Sequence, residues 1–131
     1  MLSQENLYRI ENILEKDLID KGVKCALLID MSGNIIASLD SGKSGLDIYS
    51  LAALAAGNYG AVGAMANIVE EDEFSLLFHR GKKVNVHFAA ILNEYLLLDI
   101  FNNGLSLGFL RLIVSDAVEK IKLILDSNTD E

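Results

Sequence analysis

The sequence predicts an α+β domain, a five-stranded antiparallel sheet with helices on both faces, in the order α-β-β-α-β-β-β-α. Three observations carry this expectation. Two segments repeat apolar residues at helical spacing and a third is long and Ala-rich. Five short runs of β-type residues are joined by tight Gly- or Asn-containing turns. The runs after the Ala-rich segment place apolar side chains on both faces of the sheet, which requires cover on both sides.

Each element follows from its residues. Ser3 is a suitable N-cap, and Leu7, Ile10, Leu14 and Leu18 then recur with charges between them until Gly22, so residues 3–21 read as a one-faced helix. Val23 to Met31 is a strand, and Ser32-Gly33-Asn34 turns it into a second one, IIASLD. A loop at 41–45 leads to Asp47, a cap or first-turn anion, and the helix continues to about Val69. FSLLFHR, KVNVHFAAIL and YLLLDIF read as three consecutive antiparallel strands. Pairing across Gly81-Lys82 puts Phe74, Leu76 and Phe78 on one face and Leu77, Val86 and Phe88 on the other. Asn102-Asn103-Gly104 ends the sheet. Leu107, Leu110, Val114, Ala117, Ile121 and Ile124 then mark the last helix.

Composition narrows the function. With 131 residues, a net charge of −8 and 51% hydrophobic residues, the chain is a single folded domain rather than a disordered one. Its acidity excludes a nucleic-acid partner, which needs a basic footprint, and disfavours anionic lipid. Charges at Glu5, Arg9, Glu11 and Glu15 leave no signal-peptide core. One cysteine, Cys25, rules out an internal disulfide and any multi-Cys zinc set, so a cytoplasmic setting is expected.

Segment 48–69 is the most informative, because it carries no charged residue. A surface helix needs a polar stripe, and this one has none. Leu51, Leu54, Ala55, Val62, Met65 and Val69 share one face, expected to lie on the sheet. The other carries Tyr49, Ala53, Ala56, Gly60, Ala64 and Asn67, nearly all small. That face also needs cover. Asn58 and Asn67 and the lack of basic flanks argue against a membrane span. A self-complementary helix contact in a homodimer covers it instead.

Catalytic constellations are weak. Ala37 to Ser44 matches a permissive phosphate-loop pattern, with Lys43 and Ser44 for phosphate and Mg²⁺, and Asp99 imitates the metal-binding Asp at a strand end. Alternation continuing through Ile36, Ser38 and Asp40, the like charge of Asp40 and the hairpin topology all oppose it. His79 and His87 do not fall opposite each other and read as ordinary strand histidines. Arg80, Lys82 and Lys83 crowd one hairpin tip, and Cys25 reads as a core residue. No cofactor, metal or catalytic set is expected.

The order of elements resembles the Roadblock/light-chain-seven family, and so do three local patterns. These are Gly22-Val23 with Ala26–Asp30 and Ser32–Ala37, the helix Leu51–Ala56, and Leu107-Gly108-Phe109-Leu110-Arg111 opening the last helix. The resemblance spans about residues 3–126. It implies a three-layer α/β/α sandwich of Roadblock/profilin type, with the central helix on one face and the other two on the opposite face. It implies a homodimer through the central helix and an adjoining sheet edge. In the prokaryotic MglB-like branch, it also implies binding to a Ras-like small GTPase whose GTP cycle is modulated without a donated catalytic residue. A scaffold of the same fold with no effect on hydrolysis is the alternative. Asp47, Ile48, Glu70 and Glu71, at the ends of the central helix, are the expected partner contacts.

Overall fold

The computed structural model describes residues 2–42, 45–69 and 77–129. Helix α1 (Gln4–Ile13) begins at Ser3, whose hydroxyl accepts the Asn6 N–H at 3.1 Å. The predicted single helix then loosens into a π turn over Leu14–Leu18 and tightens into a 3-10 turn over Ile19–Lys21. Ile10, Leu14 and Leu18 are spaced by four, which drifts around a regular helix of 3.6 residues per turn. The wider π turn corrects that drift, and all three are buried together. Gly22 ends the segment at φ +115°, a left-handed conformation that glycine adopts without steric cost.

Strands β1 (Cys25–Asp30) and β2 (Ile35–Asp40) form the first hairpin, with a register shift between Leu28 and Ile29. Asp30 shapes its turn by accepting the Ser32 and Asn34 backbone N–H groups, each at 2.9 Å. Helix α2 (Ile48–Ile68) follows, then β3 (Leu77–Arg80), β4 (Val84–Ile91), β5 (Tyr95–Asn102) and α3 (Leu107–Thr129). The strands order as β2-β1-β5-β4-β3, and every pairing is antiparallel. Leu77 is in register with Phe88 and His79 with Val86, two residues away from a pairing centred on Gly81-Lys82; an even shift keeps Leu77, Val86 and Phe88 on one face, and Phe74 and Leu76 lie outside the described residues.

Strand alternation sends two apolar sets to opposite faces. Ala26, Leu28, Leu97 and Phe101 pack with Ile10, Leu14 and Leu18 and with Leu110, Val114, Ala117 and Ile121 of α3. Cys25, Leu27, Ile29, Leu96, Leu98 and Ile100 pack on the other side with Ala52 and Ala55 of α2. The result is the three-layer α/β/α sandwich. Among the described residues it leaves α2 alone on its face, between the β1–β2 turn and the β3 edge.

Candidate functional site

Asp47 starts α2. Its carboxylate accepts the Ser50 N–H at 3.1 Å and the Ser50 hydroxyl at 2.6 Å, and these bonds hold the carboxyl below the usual carboxylate range. The helix seats on the sheet through small side chains. Ala52, Ala55 and Ala66 are buried, with Ile48, Leu51, Ala56 and Tyr59 partly so.

This phase corrects the helical wheel read from the sequence. Leu54, Met65 and Val69, assigned to the sheet, are instead 73%, 57% and 60% exposed, and Ile68 is 81% exposed. The reason is geometric. Alanine lets the helix backbone approach the sheet closely, and the bulky residues then point sideways and out. Of the residues expected on the smooth face, Tyr49, Ala53, Gly60, Ala64 and Asn67 are exposed, and Ala56 is half-buried at its margin. The exposed arc therefore has a small flank and a bulky flank, and none of its residues is charged.

Each flank borders a shallow groove. On the bulky side, Leu51, Leu54, Ala55, Asn58, His79, Val86 and Phe88 enclose about 260 Å³ between α2 and the β3 edge. There the Asn58 amide and His79 Nε2 lie 3.4 Å apart, and the His79 ring stands edge-on to Phe88 at 5.5 Å. On the small side, Met31, Tyr59, Gly60, Gly63, Ala64, Asn67 and Asn93 border about 430 Å³. Gly33 at φ +91° brings the β1–β2 turn against α2; an added Cβ there would lie 3.0 Å from Ala53 Cα. An added Cβ at Gly57 or Gly60 would meet nothing within 4 Å.

Of the expected partner contacts, Asp47 is exposed but committed to its cap, and Ile48, the first residue of α2, is half-buried against the sheet. Glu70 and Glu71 lie outside the described residues.

The phosphate-loop pattern does not form a loop where it must. Ala37–Asp40 is antiparallel strand paired to β1, and the Asp40 carboxylate accepts the Gly42 N–H at 3.0 Å. Lys43 and Ser44 lie outside the described residues. Asp99, the imitation metal ligand, is completely buried within the sheet. His79 and His87 face opposite sides of the sheet, which precludes a shared metal ion. Reading His87 as an ordinary strand histidine missed its setting: it is buried opposite Asp99. Cys25 is buried on the α2 side; desolvation, reinforced by the charges of Asp40 and Asp99, pushes its thiol up to about 11. Among the described residues, no helix is long and apolar enough to cross a membrane.

The Roadblock/LC7 domain model matches residues 10–101. No curated protein matches the chain significantly. Solved structures do. Myxococcus xanthus MglB superposes with a TM-score of 0.86 at 31% identity, covering 97% of this chain and 95% of that one. The gliding protein MglB of Thermus thermophilus gives 0.88 at 26% identity, covering 97% and 96%. An MglB with a tetrameric arrangement gives 0.89 at 25% identity, covering 97% and 95%. With its strand order, its single-helix face and these likenesses, the chain belongs to the Roadblock/LC7 domain family, on its MglB-like branch.

Proposed function

We propose that this protein is a homodimeric regulatory module that binds a Ras-like small GTPase and modulates its GTP cycle. The observation that carries the reading is the exposed arc of α2, uncharged and rich in large apolar side chains, beside the open β3 edge. Monomeric proteins rarely leave such a contiguous apolar surface to water. Tyr49, Ala53, Gly60, Ala64 and Asn67 form one side of the proposed self-contact, with Ala56 at its inner margin. Leu54, Met65 and Ile68 form the other. The small residues let a second backbone approach, and the bulky ones fill the space beside it. Likeness to an MglB that assembles as a tetramer supports self-association.

The GTPase part rests on the MglB likeness. In a two-fold dimer the two α2 helices make one continuous platform, and their ends, around Asp47 and Ile48 and beyond Val69 toward Glu70 and Glu71, are the proposed partner contacts. The module contributes surface rather than a reacting group, so any acceleration of hydrolysis arises from repositioning the GTPase's own residues. The test is single-turnover GTP hydrolysis by a Ras-like GTPase encoded by the same genome, with and without stoichiometric protein. A rate increase supports the regulatory reading. Binding with an unchanged rate makes the protein a scaffold, and no binding to the GTP or GDP form removes the partner assignment.

A further inference from the structure

The face of the sheet opposite α2 holds a feature that the interaction surface does not use. Asn85, His87 and Asp99 are the buried polar or charged residues among those described, at 3%, 3% and 0% exposure. Strand alternation puts all three on the side covered by α1 and α3. His87 and Asp99 are directly opposed across β4 and β5, with His87 Nδ1 3.7 Å from Asp99 Oδ2. That distance is too long for a direct hydrogen bond but well within reach of strong charge interaction in a dry interior. Neither imidazole nitrogen and neither carboxylate oxygen has a hydrogen-bond partner among the described residues. Asn85 extends the polar row outward: its Nδ2 donates to Asn103 Oδ1 at 2.9 Å, and Asn103 Nδ2 donates to the Lys82 carbonyl at 2.8 Å.

We propose that His87 and Asp99 form a buried site that binds a single proton and makes the packing of the sheet against α1 and α3 depend on pH. Proton counting leads to this assignment. With no proton, a bare carboxylate sits in the core, the costliest arrangement. With two, an imidazolium stands beside a neutral acid and has no counter-charge. One proton leaves the pair neutral overall, whether it rests on the ring or on the carboxyl, so the two side chains make a single proton site.

The surroundings supply no competing charge among the described residues. From β1, Ala26 stands opposite Asp99; from β3, Phe78 is in register with His87. α1, the π turn that follows it and α3 present buried apolar residues, among them Ile10, Leu14, Leu110, Val114 and Ala117. Their charged groups lie toward the surface, where Lys120 is bound to Asp17 at 2.8 Å and lies 3.5 Å from Asp116. Arg80, in register with Asn85, is exposed. Cys25 senses Asp99 by charge but faces α2. Burial pushes the Asp99 carboxyl up against the opposing pull of His87, consistent with a proton retained in the folded state.

Linkage makes the site measurable. An unfolded Asp titrates near 3.9 and an unfolded His near 6.5, so between those values folded and unfolded chains each carry one proton here and stability is flat. Above about pH 6.5 the unfolded chain releases its proton and the folded site keeps it. The unfolding constant then rises, approaching tenfold per pH unit, until the folded site itself lets go. The sign agrees with a carboxyl raised on folding, whose stabilisation is lost as pH increases.

The experiment is urea unfolding of the full chain at pH 6, 7 and 8 and fixed protein concentration, with Asp99→Asn as the isosteric variant that cannot share a proton. Cys25, whose unfolded thiol titrates at about 8.5, adds only a small rise by pH 8 that is common to both proteins. The expected result is a wild-type unfolding constant that rises by nearly tenfold between pH 7 and 8 while the variant's stays nearly level. Equal slopes overturn the proposal. If the variant does not fold, the His87 ring shift followed by NMR in the wild type decides. Shifts of the His87 ring and the Asp99 carboxyl carbon that stay constant from pH 6 to 8, with one of the two groups protonated, support a shared proton; an unprotonated pair, or a midpoint within that range, overturns it.

Discussion

Replacing Leu54 by alanine separates the proposed self-contact from the stability of the subunit. Leu54 is 73% exposed in the single chain, so truncating it creates no cavity and should change monomer stability by no more than about 0.5 kcal/mol. In the dimer the same side chain is covered. Complete burial of a leucine is worth about 2 kcal/mol, and roughly three quarters of that remains to be gained on association, about 1.5 kcal/mol. Two-fold symmetry counts it twice, about 3 kcal/mol in all, or roughly a hundredfold in Kd. Sedimentation equilibrium over a dilution series gives the Kd, and circular dichroism of the dilute protein gives the stability. Gly60→Leu is the companion: with open space beyond its Cα it should be accepted by the monomer, and should even gain up to about 1 kcal/mol of helix propensity. In the dimer it wedges apart two close backbones. A Kd unaltered by both substitutions would refute self-association through α2.

Three further expectations concern the scaffold. Gly33→Ala forces a left-handed alanine against the α2 backbone, 3.0 Å from Ala53 Cα, and should lower stability by about 1–3 kcal/mol in chemical denaturation; an unchanged midpoint would mean the turn moves away freely. Asp47→Ala removes the α2 cap and should cost about 0.5–2 kcal/mol, read as a lower thermal midpoint, with little further loss in an Asp47→Asn variant. Cys25, buried and held as a thiol to about 11, should resist a water-soluble maleimide at pH 8 until the chain is unfolded in urea. Native labelling at the rate of a free thiol would contradict its burial.

Most of the fold was legible because periodicity and burial agree. The apolar stripes of α1 and α3 each face one layer, and the turns at Gly33 and Gly81 sit between alternating strands. Helix α2 existed in the sequence but its orientation did not. With no polar stripe, a helical wheel gives no direction, and weighting by side-chain size pointed Leu54 and Met65 inward. The sheet takes Ala55, as expected, but adds Ala52 and Ala66 in place of Leu54 and Met65, because small side chains permit the closest approach. The π turn at Leu14–Leu18 left only the faint signal of fours in place of alternating threes and fours. The His87–Asp99 pair was legible only through register. Within VNVHF the polar residues alternate as they would on a half-exposed strand, and only the pairing of β4 with β5 under α1 and α3 shows that this face is covered.

The energetics of the exposed arc also indicate what else the proposed self-contact would have to include. Leu54, Met65, Ile68 and Val69 have between about half and four fifths of their surface left to bury. At about 2 kcal/mol for each complete burial, covering them yields about 5 kcal/mol per protomer and about 11 kcal/mol for two. Association costs an estimated 4–15 kcal/mol before anything shows as affinity, and a micromolar dimer needs a surplus of about 8 kcal/mol. These four side chains alone therefore fall at or below the threshold, and Tyr49, also exposed, brings the helix only to its lower end. The β3 edge is the nearest source of the remainder: it flanks the Leu54 groove, and an edge strand offers unpaired N–H and C=O groups to a second chain. Self-association should thus slow amide exchange in Leu77–Arg80 as well as around α2 when protein concentration is raised through the Kd. If β3 exchanges at the same rate above and below the Kd, the edge takes no part, and the affinity of the dimer must come from a wider helix contact than the arc of α2 provides.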